Sequence, residues 1–203
     1  MPEFNFSQLE FADNIEFVIL GIPLDCTSAK PTDSKNAPNK IREASNQFAD
    51  YTELGFDLNQ ALIFDAGDIV VKNQIKHLEL DLKEIDNKFG AFKSTKNIHF
   101  VVLGGDHFVT HPVFRYMTEL HENLGLISFD AHLDLYNKWN ESTFSNATVM
   151  RRICELPDFN LNNLNFIGIR DVDLEELEFV KKHQLKVLKS HEITQSNLNS
   201  VLH

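Results

Sequence analysis

Two similar stretches of sequence decide the fold: IHFVVLGGDH at residues 98–107 and LGLISFDAHLD at residues 124–134. Each begins with a continuous apolar run, typical of a buried strand, and ends in aspartate and histidine. Open α/β sheets place their chemistry at the carboxyl ends of the strands. Because alternate residues of an extended segment point the same way, Asp130, His132 and Asp134 are expected to converge on one point. This geometry predicts a metal site.

The predicted ligands are carboxylates and imidazoles, with no thiolate among them. His107, at the end of the first stretch, joins Asp130, His132 and Asp134. Such a donor set suits manganese, iron, cobalt or nickel better than a structural zinc site, which usually recruits cysteine. The alternative interpretation is that His107 caps a helix and that the two aspartates are solvated loop acids. The metal site is favoured because both clusters directly follow β-like runs.

Strand-like and helix-like patterns alternate along the chain. The predicted strands are residues 15–22, 61–64, 98–103, 124–129, 164–169 and 185–188. Helical spacing of apolar residues covers 75–89, 113–120 and 149–156, and Pro38 marks a further helix start. This alternation predicts an α/β fold in three layers, α/β/α, with a mostly parallel sheet. No linker or repeat divides the sequence, so residues 1–203 are predicted to form a single domain.

Composition and charge indicate a cytoplasmic globular protein. Of the 203 residues, 42% are hydrophobic and 24% are charged, and the formal net charge is −11. This charge repels a phosphate backbone, so nucleic acid is not an expected partner, whereas a guanidinium or an amine would be attracted. Cys26 and Cys154 are too few for a disulfide framework. The acidic start of the sequence is unlike a secretory signal, and no apolar run approaches bilayer length, so no membrane association is expected.

Six short motifs occur in the same order as in a known family. They are GIPLD at 21–25, AP with IREAS at 37–45, DAGD at 65–68, GGDH at 104–107, DAHLD at 130–134 and GIRDVD at 168–173. On these residues the chain resembles the ureohydrolase family of agmatinases and arginases over nearly its whole length. The stretch FSNATVMRR at 144–152 is similar to prokaryotic agmatinases, whereas RDVD at 170–173 also resembles arginases.

The resemblance implies a dinuclear manganese hydrolase with an arginase-like fold. In this family a hydroxide shared by two manganese ions attacks the guanidinium carbon, and urea and an amine are released. By position, His107 would bind one metal and His132 the other, Asp130 would bridge them, and Asp134 would bind the first and orient the hydroxide. The implied substrate is agmatine, converted to putrescine and urea in polyamine biosynthesis. Arginase-like or other guanidino-acid hydrolysis is the runner-up, and a trimeric or hexameric homo-oligomer is implied.

Two further positions bear on catalysis. By the resemblance, Asp173 is a candidate for contact with the distal amino end of the substrate; alternatively, Asp171 and Asp173 open a helix, whose N-terminus favours acids. Asn146 stands where related sequences usually carry a catalytic histidine, and an amide cannot act as acid or base near neutral pH. Asp106 is expected to support the site rather than to bind metal.

The resemblance also implies a third metal motif, a strand ending in Asp-x-Asp, which these 203 residues do not contain. After HEIT at 191–194 there is only a short helical pattern to Leu202. We therefore expect a chain incomplete at its C-terminus, without the C-terminal strands, with an impaired second metal site and little activity by itself. The alternatives are a catalytically silent family member that acts as a binding or regulatory subunit, and a split enzyme completed by a second chain. The incomplete chain is favoured because natural proteins avoid exposed sheet edges.

Overall fold

Strands pair only in parallel with one another throughout the part of the chain that the structure describes. The structure is a computed structural model that describes residues 2–8, 10–12, 14–28, 32–92, 98–196 and 198. The chain divides into two units, Met1–Pro112 and Val113–His203. Parallel strands joined through helices are the architecture that the alternating sequence pattern predicts.

The first unit contains a four-stranded sheet. Its strands are β1 (Ser7–Gln8), β2 (Phe17–Ile22), β3 (Ile63–Asp68) and β4 (His99–Gly104), in the order β1-β3-β2-β4. Helix α1 (Ala37–Ser45) lies between β2 and β3 in the sequence, and α2 (Leu78–Gly90) lies between β3 and β4. On one face of β2, Val18, Leu20 and Ile22 are each 0% exposed, and Ile19 on the other face is 3% exposed. This continuous burial is typical of a strand covered on both faces.

The second unit contains a three-stranded sheet. Its strands are β5 (Leu126–Phe129), β6 (Leu164–Ile169) and β7 (Lys186–Lys189), in the order β5-β6-β7. Helix α3 (Thr110–Leu120) precedes β5 in the sequence, α4 (Val149–Cys154) precedes β6, and α5 (Leu174–His183) precedes β7. Leu164 and Phe166 of β6 and Ile153 of α4 are buried. The strand ends of this sheet position the second of the two predicted motifs.

A buried ion-pair network ties α1 to β3 in the first unit. The Arg42 side chain is 0% exposed, and its guanidinium donates to both carboxylate oxygens of Asp65, at 2.6 and 2.8 Å, and to Asp68 at 2.6 Å. Gly21 of β2 leaves room for this network, because a Cβ there would lie 1.8 Å from Asp68 Oδ1. Burial alone would raise the pKa of Asp65, but hydrogen bonds, led by those from Arg42, hold it below its ordinary value.

The predicted α/β fold is confirmed, and all six predicted strands are present: the strand at 164–169 has the predicted bounds, and the other five differ at one or both ends. Strand β1 was not predicted, because a two-residue segment is too short to show a period. The helix expected from residue 75 begins at Leu78, after a 3₁₀ turn. The helical pattern towards Leu202 lies largely outside the described residues. Among the described helices, none is both long and apolar enough to cross a membrane.

Candidate metal centre

The loop after β4 in the first unit carries His107. Gly105, two residues earlier, packs directly on backbone: a Cβ there would lie 2.0 Å from Leu24 O. Only glycine fits such a close approach. His107 then begins a 3₁₀ turn (His107–Val109) that leads into α3, and it is half-buried. The tight packing of the loop fixes the backbone position from which the His107 side chain extends.

Asp106 stabilises this loop through hydrogen bonds that its buried carboxylate accepts. Its carboxylate accepts hydrogen bonds from the backbone N–H and the hydroxyl of Thr27, at 3.0 and 2.6 Å, and from the N–H of Phe108 at 3.1 Å. The residue is 3% exposed, and burial raises the pKa of its carboxyl group. Asp106 caps the 3₁₀ turn, so the alternative that His107 is the cap is wrong. These contacts are those of a supporting residue.

The loop after β5 carries the second motif and is fastened to the loop after β6. The N–H of Asp130 donates to Ile167 O at 3.1 Å, and Ala131 O accepts from the N–H groups of Arg170 and Asp171 at 2.9 and 3.1 Å. These hydrogen bonds connect the ends of β5 and β6, so the backbone that carries the Asp130 side chain has a fixed position. The sheet places this residue where the sequence predicts it.

Asp134 has a backbone conformation that the sequence did not indicate. Its φ of 52° is in the left-handed region, which is uncommon for a residue other than glycine. Its carbonyl accepts from the N–H groups of Met150 and Arg151, at 3.1 and 3.2 Å, at the start of α4. The prediction of an extended segment through Asp134 is therefore wrong, because β5 ends before the motif and the helix N-terminus holds a turn there.

Glu176 is a supporting residue that the sequence analysis missed. It is 3% exposed, and its carboxylate accepts from the N–H of Leu135 at 3.0 Å and from that of Asp173 at 3.1 Å. Burial raises the pKa of this carboxyl group. The signal was present as Asp-x-x-Glu at 173–176, a spacing typical of a helix start. Glu176 thereby links α5 to the loop that carries Asp134.

His132 lies between two carboxylates in the second unit. Its Nδ1 is 3.5 Å from Asp130 Oδ1, and its Nε2 is 3.6 Å from Asp171 Oδ2. The side chain is 57% exposed, whereas Leu133 beside it is 1% exposed and packs inward. The imidazole is therefore accessible from outside the unit.

Asp173 and Asn146 occupy helix starts. Asp173 is the N-cap residue of α5, which confirms that it opens a helix, and its carboxylate accepts a hydrogen bond from the Tyr136 hydroxyl. Its contact with substrate stays a prediction. Asn146 begins a 3₁₀ turn ahead of α4 and is half-buried, and Ser145 caps that turn. Both positions belong to the second unit.

Of the predicted ligands, Asp130 and Asp134 have carboxylates close to each other in the second unit, and His107 belongs to the first unit. We call these three residues the candidate metal group. That they bind one ion, and that His132 is a ligand, stay predictions. A cleft of about 510 Å³ in the second unit is lined by Asp130, His132 and Arg170 among others. This volume lies in the range of small-molecule sites.

Neither cysteine belongs to the candidate metal group. Cys26 and Cys154 are both half-buried and free of disulfides. Burial raises the pKa of Cys26 to about 11, with Asp106 adding to the shift, and raises that of Cys154 to about 12. Both thiols therefore stay protonated at neutral pH, a state unsuited to binding metal.

Comparison with known proteins agrees with this set of motifs and strands. The arginase family profile matches residues 15–203. The chain belongs to the arginase family. The arginase family membership confirms the resemblance that the six motifs indicated.

Two curated relatives within the arginase family illustrate its range. The chain is 30% identical over 175 residues to an agmatinase of Halalkalibacterium halodurans, a match that covers 85% of this chain and 58% of the relative. It is 29% identical over 195 residues to a formimidoylglutamase of the same organism, covering 92% of this chain and 59% of the relative. The chain thus spans a little under two thirds of the length of these relatives.

A solved structure shares the fold. Agmatine ureohydrolase of Thermoplasma volcanium superimposes with a TM-score of 0.83 at 24% identity, covering 98% of this chain and 65% of that one. The arginase-like α/β architecture is thereby shown for this chain.

Proposed function

We propose that this protein hydrolyses a guanidino compound in the presence of manganese, with agmatine as substrate and putrescine and urea as products. The observation that carries the proposal is the pair of neighbouring carboxylates, Asp130 and Asp134, in a chain of the arginase family, and we propose His107 as a further ligand. An agmatinase at 30% identity supports the choice of substrate.

The residues present fit a divalent cation of the manganese type. The group offers one imidazole and two carboxylates, which are the hard and borderline donors that manganese prefers, and it includes no thiol. We propose His132, 57% exposed beside Asp130, as a further ligand. A bound manganese pair would lower the pKa of water and so supply the nucleophile.

The chain's own residues then have three tasks. Asp134, fixed by α4 and by the Leu135–Glu176 hydrogen bond, would orient the attacking water. Asn146 would donate or accept a hydrogen bond but could not carry a proton, so proton transfer would run through solvent. Asp173, already hydrogen-bonded by Tyr136, would meet the distal ammonium of agmatine.

A second candidate substrate follows from the formimidoylglutamase relative at 29% identity. A formimidoyl derivative of glutamate carries carboxylates where agmatine carries an ammonium. The net charge of −11 and the exposed Asp171 carboxylate, 79% exposed, favour the cation over the anion. Agmatine is therefore the proposed substrate. A catalytically silent binding subunit is the alternative from another class.

Manganese titration by calorimetry tests the metal site. Asp130→Ala and His132→Ala should each weaken binding by about tenfold or more, because each removes a ligand worth at least about 1.4 kcal/mol. The matched controls are Asp158→Ala and His121→Ala, since both residues are exposed and neither is in the candidate group. Equal affinity in the parent and in Asp130→Ala would overturn the assignment.

Product release with manganese tests the reaction, measured as urea from agmatine and as formamide from formimidoylglutamate. A chain that also carries the third metal motif should act on agmatine in preference to formimidoylglutamate, and Asp134→Asn should lower its rate by roughly 10²-fold or more, as expected when an orienting group at the reacting centre is lost. The 203 residues alone should be far slower. Faster turnover of formimidoylglutamate would select the second candidate. Manganese binding without release of urea or formamide would contradict catalysis and favour the binding subunit.

A further inference from the structure

A second cavity, of about 500 Å³, opens on the second unit beside α5. Its floor is apolar: Leu133 and Ile169 are each 1% exposed, and Val187 of β7 is half-buried. Leu177 and Val180 of α5 form an apolar wall. We call this cavity the α5 groove. Its volume is in the range of sites that hold small organic molecules.

The ionisable groups that line the α5 groove are all basic. They are Arg170, Lys181, Lys189 and His191, and the described lining contains no aspartate or glutamate. Among the described residues, no carboxylate lies within ion-pair distance of Arg170, Lys181 or Lys189. In a chain with a net charge of −11, this local excess of positive charge favours an anion.

None of the three acids of α5 (Glu175, Glu176 and Glu178) is among the described residues that line the groove. Glu175 accepts a hydrogen bond from the N–H of Asn137 at 2.9 Å, and Glu176 accepts from that of Leu135 at 3.0 Å. Both therefore belong to the side of α5 that faces the metal-motif loop. Lys181 is left as the charged residue that α5 contributes to the groove.

We propose that the α5 groove binds a small amphipathic carboxylate, a molecule with an aliphatic body and one terminal carboxylate. The aliphatic body would cover Leu177 and Val180 and displace water from them, which is the main source of affinity. The carboxylate would pair with Lys181 and the neighbouring cations. An inorganic anion lacks the apolar body, and an amine is repelled by the basic lining. The proposed agmatine is a cation and is therefore not the ligand of this groove, although the groove shares Arg170 with the cleft beside Asp130 and His132.

Octanoate, kept below its micelle-forming concentration, is the probe. Methyl NMR of the whole chain should show saturable shifts at Leu177 and Val180, with a Kd of roughly millimolar or tighter. Octylamine and 1-octanol have the same aliphatic body with a positive or a neutral head, and they should bind more weakly. Stronger binding of octylamine, or the absence of saturable shifts with octanoate, would overturn the proposal.

Lys181→Glu and Lys182→Glu distinguish an effect of the groove's own charge from an effect of the net charge of the chain. The two lysines are exposed neighbours on α5, but only Lys181 lines the groove. Reversing Lys181 should weaken octanoate binding about 3- to 10-fold, whereas Lys182→Glu should change it by less than about twofold. An equal loss in both variants would show only a general charge effect and would contradict the site.

Two leucines of α5 test the apolar contribution to octanoate binding. Leu177, which lines the groove, is 43% exposed, and Leu174, which does not, is 72% exposed. Leu177→Ser should weaken octanoate and 1-octanol alike, and Leu174→Ser should affect neither. Thermal unfolding of both variants checks that they fold. Unchanged octanoate binding in a folded Leu177→Ser variant would also refute the proposed pose.

Discussion

At the scale of single residues, Arg42 is the largest fully buried side chain among the described residues. Its positive charge is paired with two carboxylates of the same unit. The guanidinium forms three hydrogen bonds to Asp65 and Asp68. A buried charge is tolerated only when it is paired and hydrogen-bonded. The sequence shows Arg42 within a family motif, but helical spacing alone does not reveal which strand acids it meets.

We expect Arg42→Ala to destabilise the chain by about 3–5 kcal/mol, because it leaves two buried carboxylates without a cation. Lys40→Ala is the matched control on the same helix, since the Lys40–Glu43 pair is exposed and should contribute less than about 1 kcal/mol. Urea unfolding of both variants measures the difference. Similar midpoints for the two would contradict the energetic role given to Arg42.

The lowered pKa of Asp65 predicts that the folded chain loses stability in acid. Its folded-state pKa is lowered below the ordinary value of 3.8, so its contribution is fully present above that value. The contribution is lost as the pH falls through the lowered folded pKa, when the proton is taken up and the charge pair with Arg42 disappears. Unfolding free energies measured against pH should fall more steeply below pH 3.8 in the parent than in Asp65→Asn. Parallel curves would show that Asp65 is not coupled to folding.

At the scale of elements, side chains from one element hold the loop of another. In the first unit, Asn73 after β3 accepts from the N–H groups of Asp25 and Cys26 after β2, at 2.7 and 3.0 Å. Asp81 of α2 in turn accepts from the N–H of Asn73 at 2.9 Å. These contacts join residues distant in sequence, so neither composition nor period could predict them.

Glu176 makes the same kind of link in the second unit, and it can be tested directly. Glu176→Ala leaves the N–H groups of Leu135 and Asp173 without their acceptor, which should cost about 1–3 kcal/mol. Hydrogen exchange of the Leu135 amide should accelerate with it. Glu178→Ala, at an exposed position of α5, should leave both quantities within about 0.5 kcal/mol of the parent. Unchanged exchange at Leu135 in Glu176→Ala would refute the link.

At the scale of the whole molecule, the sequence predicted what depends on local pattern. Continuous apolar runs gave β4, β5 and β6, and the strand-end motifs gave His107, Asp130 and Asp134 of the candidate metal group. It could not predict the left-handed turn at Asp134, because that conformation is imposed by hydrogen bonds to α4. Helix and strand periods carry no information on such contacts between elements.

The two half-buried thiols have a practical consequence, since each unit contains one of them, Cys26 in the first and Cys154 in the second. Their raised pKa values, about 11 and about 12, should make alkylation by iodoacetamide at pH 8 roughly 10²- to 10³-fold slower than in the denatured chain. The alkylation rate of each cysteine then reports how often its own unit opens transiently, and mass spectrometry of the labelled peptides measures that rate. Labelling times that differ by much more than the roughly tenfold expected from the two pKa values would show that the units open independently. Native rates equal to those of the denatured chain would contradict the burial of both thiols.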